Sequence, residues 1–554
     1  RSGLRVALSR RPTGGALPLL YLAAAVALAA LLLPSALRPP PDQANASSAL
    51  SPDAPPEDDP ETIIQSLQQA GSRTAGATGE PSTTTTTAAP AESAPTRGQC
   101  YGDPPRTGES LYAAPCTPAW QPPPAGNGGS TWRNVGADEV RLGVSHTVGN
   151  GAEGVIPEEP SPNESAATRT LRVLQAYFNA NYETYGRKIR IVQLPGSSAS
   201  PVDSKAHAVK ADEEYRVFGA YYLYAGFCTE MARRTLITMC NPMPEEYHAQ
   251  HSPYVWAWMM DYSKVDRMAA EYICKRLAGR NADFAGGVEQ GRPRTFGLLY
   301  ESSEARNAGR NHRYLQRLLE ERCGIDAMGF TVDAVDAQSA SGRYASAVAQ
   351  MRAAGVTSIV IQIEVGSAIE AMGAADGSGY SPEWLLFFPY GLDINIIGNL
   401  LPPSQMAHAF GMSAWELPAR NNQTDCYRAY KSIDPSGTPS DSTCFNFFGP
   451  LQQLANGIQQ AGPTLTPETF RDGLYRQGHR FYPQPWAIGG GYGPGDHTYM
   501  DNMGEIWWSG DAAKPEDGTP GAYMWVDGGR RYREGEIPET ETQVFSNGTS
   551  VRTE

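Results

Sequence analysis

The middle of the chain alternates between strand-like and helix-like segments, and this pattern restricts the fold more than any other. Short apolar runs at residues 295–300, 326–332, 357–363 and 384–388 are separated by helical segments at residues 304–323, 341–355 and 367–375. Strands separated by helices of this length form right-handed β-α-β crossovers in a parallel sheet that is covered on both faces. An earlier strand, helix and strand at residues 140–144, 166–182 and 188–194 predict another such unit. The sequence therefore predicts an α/β fold with at least two units.

Chain length and charge exclude other classes. The chain has 554 residues, too many for one domain of about 100–200 residues. The chain has 45 Lys and Arg residues and 59 Asp and Glu residues, which gives a formal net charge of −14. An acidic chain of this kind has no basic surface large enough to bind the phosphates of a nucleic acid. We therefore expect no nucleic-acid partner.

The N-terminal segment predicts export. Residues 16–33 form an uncharged apolar run of 18 residues, which follows Arg1, Arg5, Arg10 and Arg11. Positive charge before an apolar segment keeps the N-terminus in the cytoplasm, so the remainder of the chain is exported. The run is at the lower limit for a spanning helix and slightly exceeds a usual signal-peptide core. Residues 1–34 are thus predicted to be a signal anchor or a cleavable signal peptide, and the protein is predicted to be single-pass in the cell membrane with an extracellular C-terminal domain, or secreted.

Two further segments follow before the α/β region. Residues 35–99 are rich in Pro, Ser, Thr and Ala and are predicted to be a disordered stalk, because such a composition buries too little apolar surface to fold. Residues 100–135 are predicted to be a disulfide-stapled segment. Export permits disulfides. Sequence alone leaves 105 pairings open for eight cysteines, but we predict that neighbours in sequence pair: Cys100 with Cys116, Cys228 with Cys240, Cys274 with Cys323, and Cys426 with Cys444.

The order of several motifs resembles the type I extracellular (periplasmic-type) solute-binding proteins of the branched-chain amino-acid and amide ABC transporter group. The motifs are VRLGV (140–144), LRVLQAYFNANYETYGRKIRIVQL (171–194), RTFGLLYESSEARNAGRNHRYLQRLLEERCGI (294–325), SGRYASAVAQMRAAGVTSIVIQ (341–362) and PETFRDGLY (467–475). The run NGGSTWRNVGADEVRLGV (127–144) is similar to an actinobacterial branch of this group. The resemblance spans about residues 140–532.

This resemblance implies the two-lobed type I periplasmic-binding-protein fold, in which each lobe is a parallel sheet flanked by helices and the chain crosses between lobes three times. Lobe 1 would comprise residues 136–261 plus 416–494, and lobe 2 would comprise residues 262–415 plus 495–554. A ligand would be clamped between the lobes by hinge closure.

Ligands of open α/β sheets bind at the carboxyl ends of the strands. The resemblance therefore places candidate ligand-binding residues at His146, Tyr221, Tyr222, Asn241, Tyr300, Glu301, Glu364, Tyr390 and Asp393. Family members commonly have small hydroxyl residues where this chain has Tyr221, Tyr222, Cys240 and Asn241, and a carboxylate where it has Tyr390. This departure puts an ordinary amino acid in doubt. An aromatic cleft with one or two carboxylates favours an apolar, aromatic or cationic ligand.

Other motifs carry less weight. Residues 149–154 satisfy G-x-G-x-x-G, but Pro157 follows too closely for a helix that could bind a pyrophosphate. His248 and His251 lack a glutamate between them and fall in an apparent loop, so we expect no metal there. Asp496, His497 and Asp501 form a polar cluster. It would either bind a cation or hydrogen bond the backbone of a turn, and we favour the second interpretation.

We expect no catalytic residues and no cofactor, because neither a nucleophile elbow nor a P-loop lysine is present. The main hypothesis is an extracellular protein that captures a small molecule, such as an amino acid, amide, aromatic or cationic solute, for the permease subunits of an ABC-type importer. One alternative is a membrane-tethered ligand-sensing or cell-envelope interaction module with the same fold. A third hypothesis is an exported hydrolase.

Overall fold

The first part of the chain that the structure describes is a small segment closed by a disulfide. The computed structural model describes residues 97–146, 153–334, 342–387 and 391–552, and residues 95–554 form one unit. Strands β1 (Cys100–Tyr101) and β2 (Arg106–Thr107) pair antiparallel, and a disulfide joins Cys100 to Cys116. The predicted membrane segment and all but the end of the predicted stalk lie outside the described residues. Within the described residues, no helix has the length and apolar character needed to cross a membrane.

The first large sheet has six strands in the order β4-β5-β3-β6-β7-β8. Its strands are β3 (Glu139–His146), β4 (Gly154–Val155), β5 (Lys188–Gly196), β6 (Gly219–Tyr222), β7 (Ile237–Cys240) and β8 (Val255–Ala257). All neighbours are parallel except β4 and β5. The flanking helices are α1 (Ala166–Asn181), α2 (Pro201–Glu213), α3 (Ala225–Arg233) and α4 (Glu245–Gln250).

Helix α1 shows why these segments fold as they do. Ser165 caps its first turn by accepting a hydrogen bond from the Thr168 amide, which satisfies a donor that the helix itself leaves unpaired. Leu171, Leu174 and Phe178 recur at helical spacing and are fully buried or nearly so against the sheet. The amphipathic pattern seen in the sequence is thus the packing face of the helix.

The second large sheet contains the predicted alternation. Helix α5 (Tyr262–Tyr272) leads through a π-helical turn (Ile273–Leu277) to β9 (Phe296–Ser302), and β10 (Met328–Asp333), β11 (Ser358–Gln362), β12 (Glu383–Phe387) and β13 (Ala409–Ser413) follow. These five strands are parallel in the order β10-β9-β11-β12-β13. Between them lie α6 (Glu304–Asn307), α7 (Arg313–Cys323), α8 (Arg343–Ala353), α9 (Val365–Ser378), α10 (Asn395–Gly398) and α11 (Pro403–Met406). The predicted α/β class is confirmed.

Two details differ from the sequence prediction. The predicted helix at residues 304–323 is divided into α6 and α7, because Ala308 and Gly309 both adopt positive φ, at 49° and 73°, which no right-handed helix continues through. The second sheet is also extended by antiparallel strands, namely β14 (Asn502–Ala513), β15 (Pro520–Trp525) and β16 (Arg531–Arg533). A purely parallel second sheet was therefore an oversimplification.

Between β13 and β14 the chain returns to the first sheet. Helices α12 (Asp425–Ile433), α13 (Asp441–Ala461) and α14 (Pro467–Gln477) pack there, with α13 against α1, β3 and β6. We call the first sheet with α1–α4 and α12–α14 lobe 1, and α5–α11 with β9–β16 lobe 2. The N-terminal segment belongs with lobe 1, because amide side chains of α13 bind its backbone. Asn456 Nδ2 donates to the Tyr112 carbonyl and Asn456 Oδ1 accepts from the Ala114 amide, both at 2.9 Å.

The structure joins the cysteines in the four pairs expected from the sequence. One disulfide fastens α3 to β7, another fastens the π-helical turn to α7, and Cys426–Cys444 fastens α12 to α13. The last of these disulfides closes the two helices at their first turns.

One buried ion pair ties two strands of lobe 2, β11 and β12, to the segment that precedes β9. Arg294 donates from Nε and Nη2 to the two carboxylate oxygens of Glu383, each at 2.8 Å, and Ser358 Oγ donates to Oε2 at 2.5 Å. The side chains of Arg294 and Glu383 are 3% and 0% exposed. Removing one charge of such a pair leaves the other buried and uncompensated.

We expect Glu383→Gln to lower the free energy of unfolding by about 3 kcal/mol, measured by urea denaturation. The matched control is Glu321→Gln, which removes the carboxylate of an i,i+4 pair whose members are both 62% exposed and should change stability by less than about 0.5 kcal/mol. Equal losses in the two variants would show that the buried pair does not stabilise lobe 2.

Candidate functional site

Three segments connect the lobes, and their backbones are held together. The first lies between β8 and α5, the second between β13 and α12, and the third between α14 and β14. The first and third run side by side, because the Ala257 amide donates to the His497 carbonyl and the Tyr499 amide donates to the Ala257 carbonyl, each at 3.0 Å. Arg531 reaches the second segment from β16 and donates to the carbonyl of Ala414 at 2.7 Å and to that of Trp415.

A cavity of about 320 Å³ opens where the lobes meet. The N-terminal segment supplies Tyr112, lobe 1 supplies Phe448, and lobe 2 supplies Tyr523 and Trp525. The segment between β8 and α5 adds Trp258, and the segment between β13 and α12 adds Trp415 and Glu416. A solute in this space would therefore touch both lobes and two of the connections between them.

The cavity has a buried floor and an exposed rim. Tyr112, Trp258 and Tyr523 are 7%, 9% and 1% exposed. At the rim Phe445 is 52% exposed, and the carboxylates of Asp441 and Glu516 are also exposed. A ligand could thus enter past the polar groups of the rim, and its apolar part would be desolvated when it reaches the buried floor.

Gly449 makes room for the floor. It lies within α13, and a Cβ atom built on it would be 2.7 Å from Nε1 of Trp258. Real Cβ atoms do not approach so closely, and an indole ring has no free end that can swing away. A glycine in a helix costs up to about 1 kcal/mol relative to alanine, so its presence at this place reflects the close approach of Trp258.

Carboxylates supply the polar part of the cavity. Asp393 is 5% exposed, and its Oδ2 accepts a hydrogen bond from Ser413 Oγ at 2.5 Å. Burial raises the pKa of Asp393 to about 7. Burial also raises the pKa of Glu416, whose Oε2 accepts a hydrogen bond from the Tyr112 hydroxyl at 2.6 Å.

Two of the carboxylates that line the cavity, Glu416 and Asp425, form ion pairs with arginines that do not line it. A smaller adjoining cavity of about 120 Å³ holds Arg428 and Arg552. Arg428 pairs with Asp425 at 2.5 Å, and Arg552 lies 3.5 Å from Glu416. Asp393, Asp441 and Glu516 accept hydrogen bonds from Ser413, Asn421 and Asn395, and among the described residues no Lys, Arg or His forms an ion pair with them.

Three of the candidate residues predicted in lobe 1, Tyr221, Tyr222 and Asn241, do not line this cavity. The Tyr221 hydroxyl donates to Asn241 Oδ1 at 3.2 Å, and the Tyr221 ring is buried. Tyr222 stacks on Phe227 with ring centroids 4.0 Å apart, within the core between the sheet and α3. His146 is the last residue of β3.

Two of the candidates predicted in lobe 2 surround an arginine. Glu301 and Glu364 both pair with Arg306, and α6, which contains Arg306, contacts α3 of lobe 1. Burial raises the pKa of Glu364, while the Arg306 guanidinium opposes this shift. Arg306 of lobe 2 therefore lies where a ligand was expected, at the carboxyl ends of these strands and beside Glu301 and Glu364.

The other three candidates predicted in lobe 2 are Tyr300, Tyr390 and Asp393, and each has a different position. The Tyr300 hydroxyl donates to Asp266 at 2.8 Å in the interior of lobe 2. Tyr390 lies outside the described residues. Asp393 lines the cavity. The aromatic lining at Tyr112, Trp258 and Trp415 was missed, because each of these residues is distant in sequence from the others and looks like an ordinary core residue.

The other polar motifs have structural roles. The ammonium of Lys264 lies 2.7 Å from Asp496 and 2.5 Å from Asp501, so a side-chain cation of α5 sits where a bound cation was considered. The Thr498 amide donates to Asp496 at 3.2 Å, as the turn-backbone interpretation expects. His479 completes this cluster, with Nε2 3.0 Å from Asp496, and its pKa is raised by the hydrogen bond to that carboxylate.

Of the two histidines predicted to lie in a loop, His248 lies in a helix and His251 directly follows it. His248 lies in α4 and is fully buried, and burial lowers its pKa to about 3. Its Nε2 accepts from the Met243 amide at 3.3 Å. His251 follows the helix, and its Nδ1 lies 2.7 Å from the Tyr247 carbonyl.

Comparison with known proteins gives only distant structural likenesses. No protein-family model matches the chain, and no curated protein sequence matches it. The fold is similar to a fatty acid ABC transporter substrate-binding protein from Thermomonospora curvata, with 13% identity, a TM-score of 0.48, and coverage of 74% of this chain and 97% of that one. A solute-binding protein of an ABC transporter from Rhodopseudomonas palustris in complex with 3,4-dihydroxybenzoic acid has 11% identity, a TM-score of 0.46, and coverage of 69% and 97%. A branched-chain amino acid transporter substrate-binding protein from Streptococcus pneumoniae in complex with isoleucine has 12% identity, a TM-score of 0.45, and coverage of 70% and 100%. Since these likenesses are distant, the function has to be inferred from the chain's own residues.

The raised pKa of Asp393 predicts a pH dependence of stability. The folded protein keeps this proton between the ordinary value of 3.8 and about 7, where the unfolded chain has lost it, so the free energy of unfolding falls as pH rises through that window. Asp393→Asn removes this effect, and the variant should gain about 2 to 3 kcal/mol relative to wild type between pH 5 and pH 8, measured by urea denaturation at both values. The exposed Asp511 gives the control, since Asp511→Asn should show no such gain. A stability difference between Asp393→Asn and wild type that is the same at both pH values would contradict the assignment.

Proposed function

We propose that this chain is an extracellular solute-binding protein, which holds a small molecule between its two lobes and delivers it to the permease subunits of an ABC-type importer. The cavity between the lobes is the observation that carries this proposal. Its volume of about 320 Å³ lies within the usual range for small-molecule sites, and its lining combines aromatic rings with a few polar groups, as such sites do.

The connections between the lobes support a mechanism of hinge closure. Because Trp258 and Trp415 belong to connecting segments while Tyr523 and Phe448 belong to opposite lobes, a solute that packs on all four favours the closed arrangement over an open one. A ligand shifts such an equilibrium only by its difference in affinity for the two states. Contacts to both lobes provide that difference, and no covalent step is required.

Export and membrane attachment form part of the same proposal. The four disulfides suit an oxidising compartment outside the cytoplasm. The apolar segment at residues 16–33 would either anchor the protein or direct its secretion, and the stalk would give the binding domain reach from the membrane. Membership of the type I solute-binding group, and of its actinobacterial branch, rests on the sequence motifs.

Gly449→Ala tests whether the cavity is the binding site. The new Cβ would force Trp258, which lines the cavity, out of its present position, so the dissociation constant of a bound solute should rise at least about tenfold. Solutes would be identified by a thermal-shift screen over amino acids, amides, amines and aromatic acids, because a ligand stabilises the folded state by mass action. Affinity would then be measured by isothermal titration calorimetry.

The matched control is Gly373→Ala in α9, where a Cβ meets no atom within 4 Å. This variant makes the same glycine-to-alanine change in a helix of lobe 2 and should leave the dissociation constant unchanged. If every solute that binds wild type bound Gly449→Ala equally well, the cavity would not be the binding site and the proposal would fail.

A further inference from the structure

We propose that the solute is an organic cation, an alkylammonium compound, whose charged group lies among the aromatic rings and carboxylates of the cavity. This inference rests on the proposed function and goes further by naming the class of ligand. It depends on three properties of the lining: its rings, its charges and the spacing of its carboxylates.

The rings surround the cavity from different directions. Tyr112 and Trp258 lie 5.4 Å apart between centroids with their planes inclined by 59°, and Trp415 and Phe445 lie 5.2 Å apart with an inclination of 42°. Inclined rings present several faces to one volume. The negative face of each ring attracts a cation. Such a cage suits a rounded ammonium group better than a planar ring.

The charges of the lining have one sign. Asp393, Glu416, Asp425, Asp441 and Glu516 face the cavity, and its lining includes no Lys, Arg or His among the described residues. Arginines pair with Glu416 and Asp425 from the far side, as described above. The other three carboxylates are held by neutral groups: Ser413 for Asp393, Asn421 for Asp441 and Asn395 for Glu516.

Asp393 gives the strongest indication. Its carboxylate is 5% exposed and, among the described residues, has no cationic partner. Ionising a buried carboxylate without a partner is costly, and a bound cation would remove that cost. Glu516 at the rim, whose carboxylate receives hydrogen bonds from Asn395 Nδ2 at 3.1 and 3.2 Å, would attract the same charge as it enters.

The geometry disfavours other charged ligands. A metal ion needs several ligand atoms close together, and in the described part of the chain the one group of three or more His, Cys, Asp or Glu side chains with that spacing is His479, Asp496 and Asp501, outside the cavity. An anion would find the positive ends of α12 and α13 at the rim, but Asp425 and Asp441 already occupy the first turns of these helices. The dispersed negative charge suits an organic cation.

The test compares a cation with its neutral isostere on the purified protein. Choline and benzyltrimethylammonium are the cationic probes, and 3,3-dimethyl-1-butanol has the shape of choline without the charge. In isothermal titration calorimetry we expect at least one cation to bind with a dissociation constant below about 1 mM and the neutral isostere to bind at least about tenfold more weakly.

Two variants connect the affinity to the carboxylates. Asp393→Asn and Glu516→Gln keep the side-chain shape and an acceptor oxygen, and each should weaken cation binding by about fivefold or more while weakening the binding of the neutral isostere by a smaller factor. Glu321→Gln, which removes an exposed carboxylate of α7, is the control and should change neither. Retained thermal unfolding transitions would show that the variants fold.

The outcomes separate this inference from the proposed function. Equal affinity for cation and isostere, or no effect of Asp393→Asn and Glu516→Gln, would overturn the cationic class. The same conclusion follows if neutral or anionic solutes bind in a manner sensitive to Gly449→Ala while no cation binds, and in that case the solute-binding function would stand. If no compound of any class showed binding sensitive to Gly449→Ala, both proposals would fall.

Discussion

The structure depends on how the chain satisfies its backbone where it passes between the lobes. Connecting segments normally lie at the surface, because buried backbone groups need hydrogen-bond partners. Here Arg531 supplies donors to the carbonyls of Ala414, Trp415 and Asn502. Burial lowers the pKa of Arg531 to about 10, which leaves the guanidinium charged at neutral pH. One side chain of β16 thereby joins the second connecting segment to the start of β14.

A second anchor holds the other side of the hinge. Lys264, in the first turn of α5, lies between Asp496 and Asp501, and Thr498 donates to Asp261, the residue that caps α5. Because these groups fasten the first connecting segment to the third, Trp258 is held at a defined position against Gly449. The floor of the cavity is thus a consequence of how the hinge is anchored.

The cavity combines two features that seldom stabilise a fold. Large aromatic rings line an open space, and a carboxylate is buried without a cationic partner among the described residues. Both features raise the free energy of the empty protein, and both would be relieved by a solute of suitable shape and charge. Residues that oppose stability in this manner are expected at binding sites and not elsewhere.

Much of the fold followed from the sequence, whereas the site followed only in small part. The strands of lobe 2 came from apolar runs of the right length, since local patterns decide such elements. The break at Ala308 and the antiparallel pairing of the strands after residue 502 were not predicted, because a positive φ and the choice of strand partner depend on packing beyond the local sequence. The strand-end rule led to Glu301 and Glu364, but it could not reveal that Arg306 would lie between them. Among the nine candidates, Asp393 lines the cavity. The rings are brought together from positions as distant as Tyr112 and Trp525, which no local pattern links.

The central claim is that a solute binds between Trp258, Trp415 and Asp393. The most direct test is a crystal structure of the protein grown with whichever organic cation binds it most tightly. The account predicts that the cation lies within this cavity, against the indole rings and within hydrogen-bonding or ion-pairing distance of Asp393. A cation found instead at the ends of the strands, beside Tyr221 or in place of Arg306 between Glu301 and Glu364, would contradict it.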